Sequence, residues 1–89
     1  MPHVLTMRGA EGFLEWGHQR AARVTEWTVA RNPEGLTLTG TVREADAFRL
    51  SQEPLTFRVA RNTGPAWTWS VRELQLTDGS VTARLIRLE

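Results

Sequence analysis

The stretch that most constrains the fold of this chain is residues 66–76, which alternates large apolar and polar side chains. Trp67 and Trp69 both take odd positions, and this period of two is typical of a strand with one buried face. The two leucines that follow fall on even positions. An extra residue at Arg72-Glu73, a β-bulge, returns the apolar side chains to one face. The stretch therefore predicts a long, bent strand with both tryptophans in the core.

A hairpin with a two-residue turn is predicted immediately after this strand. Asp78-Gly79 suits a type I′ turn, because both turn positions need a positive φ. With the bulge, the turn predicts four facing pairs: Leu76 with Val81, Leu74 with Ala83, Glu73 with Arg84, and Val71 with Leu85. In this alternation, Ile86 and Leu88 lie on the face opposite to that of Val81, Ala83 and Leu85. Either these residues cross to a second layer, or the N-terminal segment covers the end of the strand.

Residues 24–43 form another predicted hairpin, with an Asn-Pro-Glu-Gly sequence that favours a type I turn. Two registers are compatible with this turn. In one register Val29 lies opposite Leu38, and the apolar residues of both strands then share one face of the sheet. A slip of one residue would move the apolar residues of one strand to the opposite face, so we predict this register. The same register lays Trp27 over Gly40, where an indole shields backbone that carries no side chain.

A further strand is predicted over residues 55–61, where alternate apolar side chains point inward and a turn follows. Its sequence echoes an earlier strand. Residues 27–32 and 57–62 share the pattern aromatic-x-Val-Ala-Arg-Asn. Both copies place an arginine at the turn-proximal end of a strand.

Two segments allow alternative predictions. Residues 1–23 form either a hairpin with a loop at residues 9–12 or a helix over about residues 10–23, in which two glycines would each cost about 1 kcal/mol. A polar connection over residues 17–22 follows the hairpin. Residues 44–53 form either one or two helical turns or the beginning of an edge strand, since Pro54 marks the beginning of the next strand.

These elements predict one all-β domain over residues 1–89, with at most one short helix. Residues 1–23 form its N-terminal segment and residues 24–88 its β core. The long strand at residues 66–76 pairs with the strands on either side of it in a six- or seven-stranded antiparallel meander. A bent strand shared between two sheets predicts a small SH3-like or OB-like barrel, or a compact sandwich.

The composition excludes several classes of protein. The chain has no cysteine, which excludes disulfides and thiolate metal sites. It has neither a signal-peptide pattern nor an apolar run long enough for a membrane span, so we expect a cytoplasmic or virion protein. All 11 basic residues are arginine, which indicates GC-rich coding, and the net charge of +1 is low for a nucleic-acid-binding protein.

No pattern in the sequence predicts catalysis. His3 and His18 are isolated from each other and from any spaced partner, so they predict no metal site. Glu44 and Asp46 are the nearest approach to a carboxylate pair, and their loop position predicts two solvated side chains. Phosphate-binding and nucleophile motifs are absent. We therefore expect a protein that is not an enzyme and that uses no cofactor.

Arginines on outward strand faces are the main candidates for binding. An arginine- and threonine-rich face suits single-stranded nucleic acid when aromatic rings lie beside it. The parity of Phe57, Trp67 and Trp69 points these rings inward, which favours contacts with a protein instead. Trp16 is then the best exposed aromatic candidate. The predicted outer face contains Thr56, Arg58, Thr68, Ser70 and Arg72, and the candidate partner-binding residues are Trp16, Arg58, Arg61, Arg72, Arg84 and Arg87.

In its pattern of residues, the segment 24–88 resembles small phage and prophage proteins from GC-rich bacteria. Two stretches carry the resemblance: Leu-Thr-Leu-Thr-Gly-Thr-Val at residues 36–42 and Trp-Thr-Trp-Ser-Val with Leu-Gln-Leu-Thr-Asp-Gly within residues 67–79. The resemblance implies a virion component, or an accessory protein that inhibits host machinery, anti-CRISPR proteins among them.

The sequence thus predicts a non-catalytic binding module that acts through protein–protein contacts in the cytoplasm, which is the host cytoplasm if a phage encodes it. A second copy of the chain is one candidate partner, and no membrane association is expected. The alternative is a barrel that binds single-stranded nucleic acid through its arginine- and threonine-rich face.

Overall fold

The chain folds into a closed six-stranded antiparallel barrel in a computed structural model that describes residues 6–33 and 35–87. Its strand order is β1-β2-β3-β6-β5-β4, and β4 returns to pair with β1. This confirms the predicted small all-β barrel. The elements are β1 (Thr6–Trp16), β2 (Gln19–Asn32), β3 (Gly35–Arg43), α1 (Ala47–Leu50), β4 (Leu55–Val59), β5 (Trp67–Thr77) and β6 (Ser80–Arg87).

The barrel consists of two three-stranded meanders and not of the single meander that was predicted, because β3 pairs with β6 instead of β4. One contains β1 to β3 and the other β4 to β6, and the seams between them are the β3–β6 and β1–β4 pairs. The single turn of α1 lies in the connection between the halves. Asp46 caps it by accepting a hydrogen bond from the backbone N–H of Arg49 at 3.0 Å. The helical alternative for residues 44–53 is therefore the correct one.

The predicted bulge in β5 is present. The β5–β6 register shifts between Arg72 and Gln75, and Glu73 has a φ of 52°. Val71 faces Leu85 and Leu76 faces Val81, as predicted. The two middle pairs are not in the register as predicted: Arg72, not Glu73, lies opposite Arg84, and Leu74 has no partner in the register. Glu73 nevertheless forms an ion pair with Arg84 at 3.8 Å. Leu76 also stays exposed instead of returning to the core.

A matching bulge bends β2. Its register against β3 shifts between Thr25 and Thr28, and Glu26 has a φ of 51°. Beyond the shift, Val29 faces Leu38 as predicted. The prediction that the Trp27 ring covers Gly40 was wrong, because the nearest side-chain atom to Gly40 belongs to Val24 and the Trp27 ring lies over Gly9.

The N-terminal segment forms neither the predicted hairpin nor the predicted helix within residues 6–23. β1 runs as one strand through the glycines that were expected to form a loop, and Gly17-His18 is the turn to β2. These glycines serve packing. The Trp27 ring lies over Gly9, where an added Cβ would be 2.4 Å from its nearest atom, and the Phe57 ring lies 2.6 Å from the Cβ position of Gly12.

The core is aromatic at its centre. Phe57 packs edge-on against Trp27 at 5.5 Å between centroids and stacks on Trp69 at 5.9 Å. Leu55, Phe57 and Val59 point inward as predicted, although β4 ends at Val59 instead of residue 61. Trp67 does not join the core. It is the first residue of β5, opposite the last residue of β4, so it lies at an end of the barrel with 41% of its surface exposed.

Candidate binding site

The same sequence pattern occurs near the ends of β2, β4 and β6. It consists of two buried residues and an arginine at every second position. β2, β4 and β6 alternate with strands of opposite direction, so they run parallel to one another and finish at one end of the barrel. Alternate residues of a strand share a face. On these strands the buried pairs are Trp27 and Val29, Phe57 and Val59, and Ala83 and Leu85. Two positions after each pair comes an exposed arginine: Arg31, Arg61 and Arg87.

These three arginines, Arg31, Arg61 and Arg87, are called the arginine rim below. Each follows the last buried residue of its series by two positions, although Arg61 lies just past the end of β4. The echo between residues 27–32 and 57–62 thus has a structural consequence. It places equivalent arginines on two alternate strands, and β6 adds the third.

A cavity of about 940 Å³ opens at this end of the barrel. Its apolar floor includes core residues of β2, β5 and β6 together with partly buried side chains of β1 and β3: Val29, Trp69, Leu85, Met7 and Leu36. Arg31, Arg84 and Arg87 also line it. None of the described lining residues carries a carboxylate.

Trp67 lies at the mouth of this cavity with an arginine on its ring. The guanidinium carbon of Arg61 is 5.1 Å from the ring centroid, within the range of a cation–π contact. The ring itself stays partly exposed, as does Ile86, which is 47% exposed and also lines the cavity. An indole, an aliphatic side chain and several cations thus meet at one opening.

Four arginines form ion pairs with carboxylates, and of these four only Arg84 lines the cavity. Glu11 pairs with Arg23 at 2.8 Å, Glu15 with Arg58 at 3.7 Å, Asp46 with Arg49 at 3.6 Å and Glu73 with Arg84 at 3.8 Å. Among residues 6–33 and 35–87, no ion pair involves the arginine rim. Among the described residues that line the cavity, positive charges therefore outnumber negative ones.

The six candidate residues predicted from the sequence do not form one site. Arg61 and Arg87 belong to the arginine rim, and Arg84 lines the cavity. Arg58 and Arg72 lie on the outer wall, where β4–β5 pairing sets Arg58 opposite Thr68. The same pairing sets Thr56 opposite Ser70, so the predicted outer face does come together.

Trp16 lies at the other end of β1, away from the cavity. It is half-buried and meets Phe48 of α1 edge-on at 6.0 Å, while Phe48 is itself 66% exposed. Sequence reasoning missed Arg31 and Trp67 as site residues. The signal for Arg31 was present in the repeated strand pattern, whereas the exposure of Trp67 depends on where β4 ends.

Other functional features are few in the part of the chain that the structure describes. There, no group of three or more histidine, aspartate or glutamate side chains is placed to hold a metal ion. No helix described by the structure has the length and apolar character needed to cross a membrane. No protein-family model, curated protein or solved structure matches the chain.

Proposed function

We propose that this barrel is a non-catalytic binding module that acts through protein–protein contacts at the end carrying the arginine rim. The observation that carries the proposal is the exposed Trp67 with Arg61 on its ring, beside rim arginines that form no ion pair with a described carboxylate. Tryptophan and arginine are the side chains most often found as energetic anchors of protein interfaces.

The chemistry of this end favours an acidic partner segment with an apolar side chain. Trp67 and Ile86 offer apolar contact area, and the rim arginines offer bidentate donors to carboxylates. Opposite charges on a partner would also accelerate its association with the barrel. At the far end, Arg49 beside Phe48 is instead paired with Asp46.

The proposed biological setting comes from the sequence resemblance. The resemblance to phage accessory proteins supports a virion component or an inhibitor of host machinery, with the cytoplasm as the place of action. The phage setting rests on the resemblance in residue pattern alone and stays a prediction.

A matched pair of variants tests the proposed contact surface. We expect Trp67→Ala to weaken capture of a partner from lysate by at least about tenfold, because an anchor tryptophan contributes on the order of 2 kcal/mol or more. Phe48→Ala, which removes a more exposed ring at the other end, should leave capture unchanged. Quantitative pull-down with mass spectrometry measures both. Equal capture by wild type and Trp67→Ala would contradict the proposed surface.

Single-stranded nucleic acid is the second candidate, and the exposure of Trp67 favours it. A ring flanked by arginines is the arrangement on which bases stack while cations hold the phosphates. The three rim arginines then predict a slope of about −2 for the logarithm of affinity against the logarithm of salt concentration. Fluorescence titration of a single-stranded oligonucleotide measures this slope. Micromolar binding with that slope would replace the protein-partner proposal, and absence of binding would remove the nucleic-acid alternative.

A further inference from the structure

We propose that the cavity at the arginine rim binds a small carboxylic acid with an apolar aryl or alkyl body. This inference concerns a ligand that the purified chain would bind by itself. It therefore stands apart from the proposed protein contact, although a bound ligand and a protein partner would meet at the same opening.

The size and place of the cavity suit a ligand of this kind. Its volume of about 940 Å³ falls within the range of about 300–1,000 Å³ that is typical of small-molecule sites. Such sites also occur in the mouths of β-barrels. Side chains from five of the six strands line the cavity, so the barrel as a whole determines its shape.

The floor of the cavity accounts for the apolar body of the ligand. Val29, Trp69 and Leu85 are core residues, and Met7 and Leu36 extend the apolar surface toward the mouth. An aryl or alkyl group seated there would be removed from water at no cost in unpaired polar groups. Burial of that apolar surface therefore favours binding.

Two arginines account for the acid group. Arg31 lies opposite Leu36 on β3, and Leu36 lies opposite Leu85, two residues before Arg87. Arg31 and Arg87 therefore stand on the two strands that flank β3, on the same strand faces as the floor, and both line the cavity. No described carboxylate pairs with either guanidinium. A ligand carboxylate can accept paired hydrogen bonds from such groups.

Two fluorescent probes of matched shape test the assignment. Anilinonaphthalene sulfonate carries an anionic group on an apolar body, and N-phenylnaphthylamine is its neutral counterpart. We expect the folded wild-type chain to bind the anionic probe at one saturable site. The Arg31→Gln/Arg87→Gln variant should bind it at least about tenfold more weakly, because it loses the charge-assisted hydrogen bonds to the anionic group of the probe. Its affinity for the neutral probe should not change.

Arg58→Gln is the matched control, since it removes an arginine from the outer wall instead of the cavity. It should leave both affinities as they are. The far-ultraviolet circular dichroism and thermal transition of each variant must match those of the wild type, because partly unfolded chains also bind these probes. Equal affinity of the wild type and the double arginine variant for the anionic probe would overturn the proposal.

Two measurements on the wild type alone decide the question even if the variants do not fold. Raising the salt concentration from about 0.05 M to about 0.5 M should weaken binding of the anionic probe and spare the neutral one. Decanoate should displace the anionic probe, and decanol should not do so at the same concentration. No saturable binding, or equal displacement by both compounds, would contradict the carboxylate site and leave the proposed protein contact untouched.

Discussion

Trp27→Ala is expected to lower the free energy of unfolding by about 3–5 kcal/mol, as truncation of a buried aromatic does. Only 2% of the Trp27 surface is exposed, with the ring packed between Gly9 and the edge of Phe57. Its Nε1–H is buried and has no hydrogen-bond acceptor among the described residues, so its contribution comes from apolar packing. A domain of this size has roughly 5–10 kcal/mol of stability, so the variant should be largely unfolded on mild heating.

Urea unfolding followed by far-ultraviolet circular dichroism measures this loss, and Trp67→Ala is the matched control. The same substitution at Trp67 removes a ring that is 41% exposed and one cation–π contact, which should cost about 1 kcal/mol. Similar losses in the two variants would show that the ring of Trp27 is not the centre of the core.

Gly9→Ala is expected to destabilise the barrel by at least about 1–3 kcal/mol, the usual cost of overpacking a core. The added Cβ would lie 2.4 Å and 2.5 Å from two carbons of the Trp27 indole. No flexible chain end is available to move aside, because the atoms met belong to a rigid ring within the barrel. Either the indole or β1 must shift, and both movements loosen the contact between Trp27 and Phe57.

A double-mutant cycle with Trp27→Leu separates this clash from a general effect of alanine in β1. Leucine removes the indole atoms that the new methyl group meets. Gly9→Ala should therefore cost at least about 1 kcal/mol less in the Trp27→Leu background than in the wild type. Additive costs in thermal or urea unfolding would contradict the packing of Trp27 over Gly9.

Local signals in the sequence were sufficient for most strands after residue 24. The Asp78-Gly79 turn and the alternation on both sides of it determine the β5–β6 pairing, and the bulge followed from one shift in parity. β1 was not predictable in the same way. Gly9 and Gly12 read as loop residues, because a single sequence does not show that aromatic rings from other strands occupy the space above them.

The binding site was less accessible to sequence reasoning than the fold. Parity correctly gives the face of a strand on which Trp67 lies, but it does not give the distance of a residue from the end of the barrel. That distance depends on β4, which ends opposite Trp67. Arg31 was likewise treated as a hairpin residue, since its nearness to Arg87 arises only from the pairing of β3 with both β2 and β6.

The central claim is that the arginine rim and its cavity are the binding site, and the tryptophan indole signals test it most directly. The chain has four tryptophans, each with one Nε1–H that gives a separate signal in a proton–nitrogen NMR spectrum. Adding anilinonaphthalene sulfonate should shift the signals of Trp67 and Trp69, which line the cavity, and leave Trp16 unchanged. A shift of Trp16 with Trp67 and Trp69 unmoved would place the site at the other end of the barrel and contradict the account.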